Sequence, residues 1–111
     1  MSTRLFKVQD LLHKEIAMLI HKNIQNPEIK SVTISGVKVS KDLKYSEIYF
    51  TTLDKNYLKI ESELNKASGY MRNQLSKKIH LKRLPTLRFT YDSTMENSQK
   101  IEDLIKSFPK I

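Results

Sequence analysis

Residues 66–91, KASGYMRNQLSKKIHLKRLPTLRFTY, hold seven Lys or Arg and no Asp or Glu. The rest of the chain holds thirteen basic and twelve acidic residues, so nearly all of the +8 net charge sits in this one stretch. Before it, Tyr57, Ile60, Leu64 and Ala67 recur at spacings of three and four, and within it Met71, Leu75 and Ile79 do the same. Both halves therefore read as helix with one apolar face. Between them stands Gly69, one of only two glycines. A glycine inside a helix costs about 1 kcal/mol relative to Ala, and Ser68-Gly69 lets a helix bend. One reading is a glycine tolerated where another element packs close. The other is a break that turns the backbone amides of a second helix toward an anion. The surrounding cations favour the break. The same stretch closes on Leu87, Phe89 and Tyr91 alternating with Arg88 and Thr90, which is a strand.

Working toward the N-terminus, Tyr45 to Leu53 is rich in aromatic and β-branched residues and reads as a strand. Ser40 to Lys44 is polar enough to be the turn before it. Ahead of the turn, Val32-Thr33-Ile34 and Val37-Lys38-Val39 alternate on opposite parities across Ser35-Gly36, which predicts a bulge at Gly36. Residues 4–24 form a first helix with Leu5, Val8, Leu12, Ile16, Leu19 and Ile20 along one stripe, stopped by Asn26-Pro27. Lys7, Lys14 and Lys22 give it a weaker positive face that reads as a solvated side. Asp54 or Asn56 can cap the broken helix, and Ser93-Thr94-Met95-Glu96 opens a last helix that Pro109 ends. The predicted order is helix, strand, strand, broken helix, strand, helix. This is an α+β domain spanning 1–111, with helices packed against one mixed sheet.

Composition narrows the chemistry. A chain of 111 residues is one domain, and without cysteine it has neither disulfides nor thiolate metal sites. His13, His21 and His80 lack the i, i+4 spacing of a helical metal site, and no cofactor is expected. The apolar runs are far shorter than the ~18 residues of a membrane span, and a signal-peptide core is absent from the N-terminus, so a cytoplasmic protein is expected. A pI near 9.7 with clustered charge points to a polyanion, most simply nucleic acid. Sixteen Lys against four Arg favour phosphate contact over base reading. Tyr45 and Tyr49 offer rings for base stacking, although strand tyrosines more often fill a sheet face.

The element order with a basic broken helix resembles the K-homology fold of the type that begins with a helix. Such modules hold nucleic acid through a Gly-x-x-Gly loop, and this chain, with only Gly36 and Gly69, has none. Ala67-Ser68-Gly69 with Arg72 is similar to the Ala-x-Gly kink that replaces the loop in the ribosome-binding factor A family. Val39-Ser40-Lys41-Asp42-Leu43-Lys44-Tyr45 resembles that family's hairpin signature, and Leu84-Pro85-Thr86-Leu87-Arg88-Phe89 with Asp92 resembles its third strand. Asn26-Pro27-Glu28 stands where the family usually has Asp-Pro-Arg, and Ser46 where it usually has Ala. The resemblance covers residues 4–108.

It implies a non-catalytic, monomeric bacterial factor that binds the immature 30S subunit and its 16S rRNA precursor, supports maturation of the 5′ end of that RNA, leaves before translation, and is associated with growth in the cold. Lys66, Ser68, Gly69, Arg72, Lys77, Lys78, Lys82, Arg83 and Arg88 are the residues expected to contact RNA. The competing reading is an RNA-processing enzyme, a nuclease, presenting substrate in a basic cleft to Asp42, Asp54 or Asp92. A third reading, a membrane-surface or protein-interaction module, would use the first helix.

Overall fold

A computed structural model describes residues 3–23, 32–81 and 83–93. Helix α1 (Thr3–Asn23) leads into strands β1 (Thr33–Val39) and β2 (Tyr45–Thr51). Helices α2 (Tyr57–Lys66) and α3 (Ser68–Lys78) follow, and strand β3 (Thr86–Tyr91) closes the sheet in the order β1-β2-β3. The Asn26-Pro27 stop, the last helix and Lys82 lie outside the described residues.

Strands β1 and β2 pair antiparallel, and β2 and β3 pair parallel across the two-helix connection. Between Ile34 and Gly36 the β1 register shifts by one residue, which is the predicted bulge. The shift keeps apolar residues on one face, because Ile34 opposes Phe50 before it and Val37 opposes Ile48 after it. The hairpin turn is closed by Ser40 and Asp42. Ser40 Oγ donates to Asp42 Oδ1 at 2.6 Å, and that carboxylate accepts the Lys44 amide at 3.1 Å. Leu43 completes the turn in the left-handed region, at φ 61°.

All described helices cover one face of the sheet. From α1 come Val8, Leu12, Ile16, Leu19 and Ile20, from α2 Ile60 and Leu64, and from α3 Met71 and Leu75. These pack on Ile34, Ile48, Phe50, Leu87 and Phe89. Each such side chain contributes about 1.5–3 kcal/mol relative to exposure. Tyr57 stacks on Tyr91, ring centroids 4.1 Å apart, and so fixes the start of α2 against the end of β3.

Both outer edges of the sheet are partly covered by polar side chains at i, i+4 spacing on a helix. Along β1, Gln9 Oε1 accepts the Val39 amide at 2.9 Å, and His13 Nε2 donates to the Ile34 carbonyl at 3.1 Å. Along β3, Asn65 Oδ1 accepts the Phe89 amide at 2.8 Å while its Nδ2 donates to the Phe89 carbonyl at 3.0 Å. Glu61 Oε2 accepts the Tyr91 amide at 2.8 Å. Unpaired strand edges invite pairing with other chains, and these contacts occupy several of the outward groups that would do so.

Candidate nucleic-acid interface

The break between α2 and α3 is a single residue. Ala67 has φ −85° and ψ −2°, its amide reaches back to the Glu63 and Leu64 carbonyls at 3.1 Å, and its carbonyl accepts the Met71 amide at 2.9 Å. Ser68 Oγ donates to the Asn65 carbonyl at 2.7 Å and so closes the end of α2. Gly69 is exposed, and a Cβ built on it would meet nothing within 4 Å. Its φ is not positive. Neither crowding by another element nor a left-handed backbone explains this glycine, which sets aside the alternative of a glycine tolerated for close packing. The space above Gly69 is open to a ligand.

Along α3, Met71 and Leu75 are buried. The opposite stripe, at i, i+3 and i+7, is Tyr70, Asn73 and Lys77, all exposed, with Tyr70 at 50 %. Tyr70 is an accessible ring beside this basic segment that the charge count alone did not reveal. Lys77 and Lys78 occupy the last turn, where the partial negative charge of the helix end attracts cations. Lys78 is exposed. Lys66 pairs with Glu63 at 3.6 Å in a solvated contact that contributes little.

Arg72 has a different position. Its Nε donates to the Pro85 carbonyl at 3.3 Å and its Nη2 to the Leu84 carbonyl at 2.6 Å, so it fastens α3 to the segment entering β3. Only the rest of its donors face outward. Arg83 is exposed in that same segment and lines a cleft of about 310 Å³ with Arg4, Asp42, Leu43 and Leu81. The fold thus places a guanidinium from α1 beside one 79 residues later in sequence, which charge clustering along the chain could not show.

Arg88 stands apart from the others. Leu87 and Phe89 point into the core, so Arg88 lies on the opposite, helix-free face of the sheet, in register with Glu47 and through it with Lys38. On this face Thr90 Oγ1 donates to Glu47 Oε1 at 2.9 Å. The Tyr49 phenol is held above its ordinary pKa by desolvation and then by the charge and hydrogen bond of Glu47.

The carboxylates named for an enzymatic reading hold local partners. Asp42 serves the hairpin turn, and the Ser40 hydroxyl and then the Lys44 amide hold its pKa below the usual carboxylate value. Asp54 Oδ1 accepts the Asn56 amide at 2.9 Å, and Asp92 Oδ2 accepts from Ser35 Oγ at 2.7 Å. Asn56 occupies the start of α2 without a capping side-chain bond. Among the described residues, no three His, Asp or Glu side chains converge as metal ligands, and no helix is long and apolar enough to cross a membrane.

Comparison with known proteins joins these features to a family. The sequence model of ribosome-binding factor A matches residues 4–105. Ribosome-binding factor A of Nitrosomonas europaea is 38% identical over 105 residues, covering 93% of this chain and 90% of that protein. Its counterpart in Buchnera aphidicola is 40% identical over 110 residues, covering 95% of each. The crystal structure of ribosome-binding factor A from Thermus thermophilus superposes with a TM-score of 0.72 at 21% identity, over 78% of this chain and 93% of that one, and so shares the fold. A Thermus thermophilus ribosome-binding factor A homology model fitted into a cryo-EM map of a 30S complex superposes with a TM-score of 0.64 at 21% identity, over 77% and 91%. On the family match and these identities over nearly the full length, the chain belongs to the ribosome-binding factor A family.

Proposed function

We propose that this chain is a non-catalytic assembly factor that binds the immature 30S ribosomal subunit through its 16S rRNA precursor, in the cytoplasm and as a monomer. It supports maturation of the 5′ end of that RNA, and the cold, where misfolded RNA escapes slowly, is where its loss would be felt most. In this reading the domain is a K-homology-like module of the helix-first type, with the Ala67-Ser68-Gly69 break in place of a Gly-x-x-Gly loop. The observation that carries it is the run of exposed groups from Gly69 along Tyr70, Asn73, Lys77 and Lys78 to Arg83, on a segment that holds nearly all the net charge. An open backbone at Gly69, an accessible ring at Tyr70 and ammonium groups at the far end suit a phosphate backbone with unstacked bases. The relative fitted to a 30S map supports the small subunit as the partner.

Co-sedimentation with separated ribosomal particles tests this reading. The protein is expected with the small-subunit fraction, and log K should fall against log salt with a slope on the order of −4 if about five phosphates are engaged. Incubation with precursor RNA and magnesium should leave the RNA uncut. A flat salt dependence, or cleavage by the pure protein, would overturn it.

A further inference from the structure

On the helix-free face of the sheet, at its hairpin end, a cavity of about 550 Å³ is lined by Lys38, Lys41, Tyr45, Glu47, Thr86 and Arg88 among others. We propose that this cavity is a second RNA site, holding one unstacked nucleotide whose base edge carries an amino group, on the side of the sheet away from α3. The inference rests on the reading of the chain as an RNA-binding protein and adds a separate surface to it.

The cavity falls within the range of small-ligand pockets and admits a base with its sugar. Strand register supplies its chemistry. Lys38, Glu47 and Arg88 are partners across β1, β2 and β3 and form one row. Neither Lys38 nor Arg88 makes an ion pair with another described residue, although the Glu47 carboxylate lies between them in register. With Lys41 in the adjoining turn, three cations face one carboxylate, an excess suited to phosphates on either side of a bound nucleotide. Tyr45 is 64% exposed at the rim, two residues along β2 from Glu47 and so the next side chain on the same face, and offers its ring as a platform for the base.

Glu47 selects for a base with an amino group. Its Oε1 accepts from Thr90, the Tyr49 phenol bonds to the same carboxylate, and the residue is half-buried, so the group is held in place by two donors and its remaining lone pairs can accept from a ligand. A carboxylate accepts from the exocyclic amino group of cytosine and meets only a carbonyl at the same position of uracil. An acidic peptide, the other polyanion the cations could attract, would bring its own carboxylates against Glu47 and has no ring for Tyr45.

Amide chemical shifts of the full-length protein, titrated with short single-stranded oligocytidine, oligouridine and an Asp/Glu-rich peptide, test the site. Oligocytidine should shift Lys38, Tyr45, Glu47 and Arg88. Tyr45→Ala should weaken its binding about tenfold, whereas Tyr45→Phe keeps the platform and the affinity. Glu47→Gln should erase most of the preference for cytidine over uridine without unfolding the sheet. Lys77→Glu with Lys78→Glu, on the other surface, should leave the shifts at Lys38 and Tyr45 unchanged. Shifts confined to residues 66–83 would overturn the sheet site and leave the RNA reading standing. Silence on both surfaces would sink both, and tighter binding of the peptide than of either oligonucleotide would assign the cavity to a protein partner and overturn the proposal.

Discussion

Replacing Asn65 by Ala should destabilise the domain by about 3 kcal/mol, although Asn65 is only half-buried and contributes nothing to the apolar core. Its amide holds both backbone groups of Phe89, at 2.8 and 3.0 Å, and also donates to the Glu61 carbonyl at 3.0 Å. Phe89 is 1% exposed, so truncation leaves an amide and a carbonyl on the sheet edge with poor access to water. Each such group costs about 1–3 kcal/mol, and a value toward the low end of the range of about 2–6 kcal/mol for the pair, as suits a sheet edge, gives the figure. At a urea m-value of about 1.5 kcal/mol/M, the unfolding midpoint falls by about 2 M. Circular dichroism in urea measures the loss, and hydrogen exchange should show the Phe89 and Tyr91 amides losing protection first. Glu61→Gln, which keeps an acceptor for the Tyr91 amide, should cost under about 1 kcal/mol. A loss below about 0.5 kcal/mol in Asn65→Ala, with Phe89 still protected, would refute the view that α2 is anchored by the strand edge.

Arg72→Lys keeps the charge but loses the fork that spans the Leu84 and Pro85 carbonyls, so urea unfolding should show a loss of about 1 kcal/mol while small-subunit affinity changes less than about twofold. The reverse pattern would make Arg72 an RNA contact first. Gly69→Ala should raise stability by about 0.5–1 kcal/mol in thermal melts, because the added methyl meets nothing, and should lower RNA affinity, because it intrudes where the ligand backbone approaches. Unchanged affinity would remove Gly69 from the interface. Asp42 has a folded pKa below its unfolded one, so its support of the hairpin is complete above the unfolded value, near 4, and is lost as pH falls through the folded value. The protection of the Lys44 amide against exchange, relative to its intrinsic rate at each pH, should fall over that acidic window in the native chain and show no such pH step in Asp42→Asn.

Local pattern carried most of the fold. The parity flip across Ser35-Gly36 located the bulge, because only a register shift keeps Ile34 and Val37 on the same face. The sheet's edge closure was not legible. Gln9, His13, Glu61 and Asn65 look like ordinary polar residues of a helix surface, and which strand amides lack a partner is known only once the strand order is known. The site was half legible for a similar reason. Counting charge along the chain found Lys77, Lys78 and Arg83, but it treated Arg72 and Arg88 as equivalent to them. Arg72 is committed to carbonyls brought near by the turn into β3, and the alternation of Leu87, Arg88 and Phe89 puts Arg88 outside without saying that the helices lie on the other side. Arg4 joined the cleft of Arg83 through tertiary packing alone.

Recognition of the small subunit by α3 depends on the placement of charge, as opposed to its amount, and paired charge reversals separate the two. Lys77→Glu with Lys78→Glu changes net charge as much as Lys22→Glu with Lys55→Glu, and all four residues are exposed. Lys22, like Lys77 and Lys78, sits in the last turn of its helix, so part of the helix-end cost is matched between the variants. Co-sedimentation of each variant with purified small subunits, at one fixed salt concentration and after circular dichroism has shown both folded, gives the comparison. The α3 pair should lose about tenfold or more in affinity, about 1.4 kcal/mol, and the other pair less than about threefold. Equal losses in the two variants would contradict it, since bulk charge and not the surface of α3 would then carry recognition.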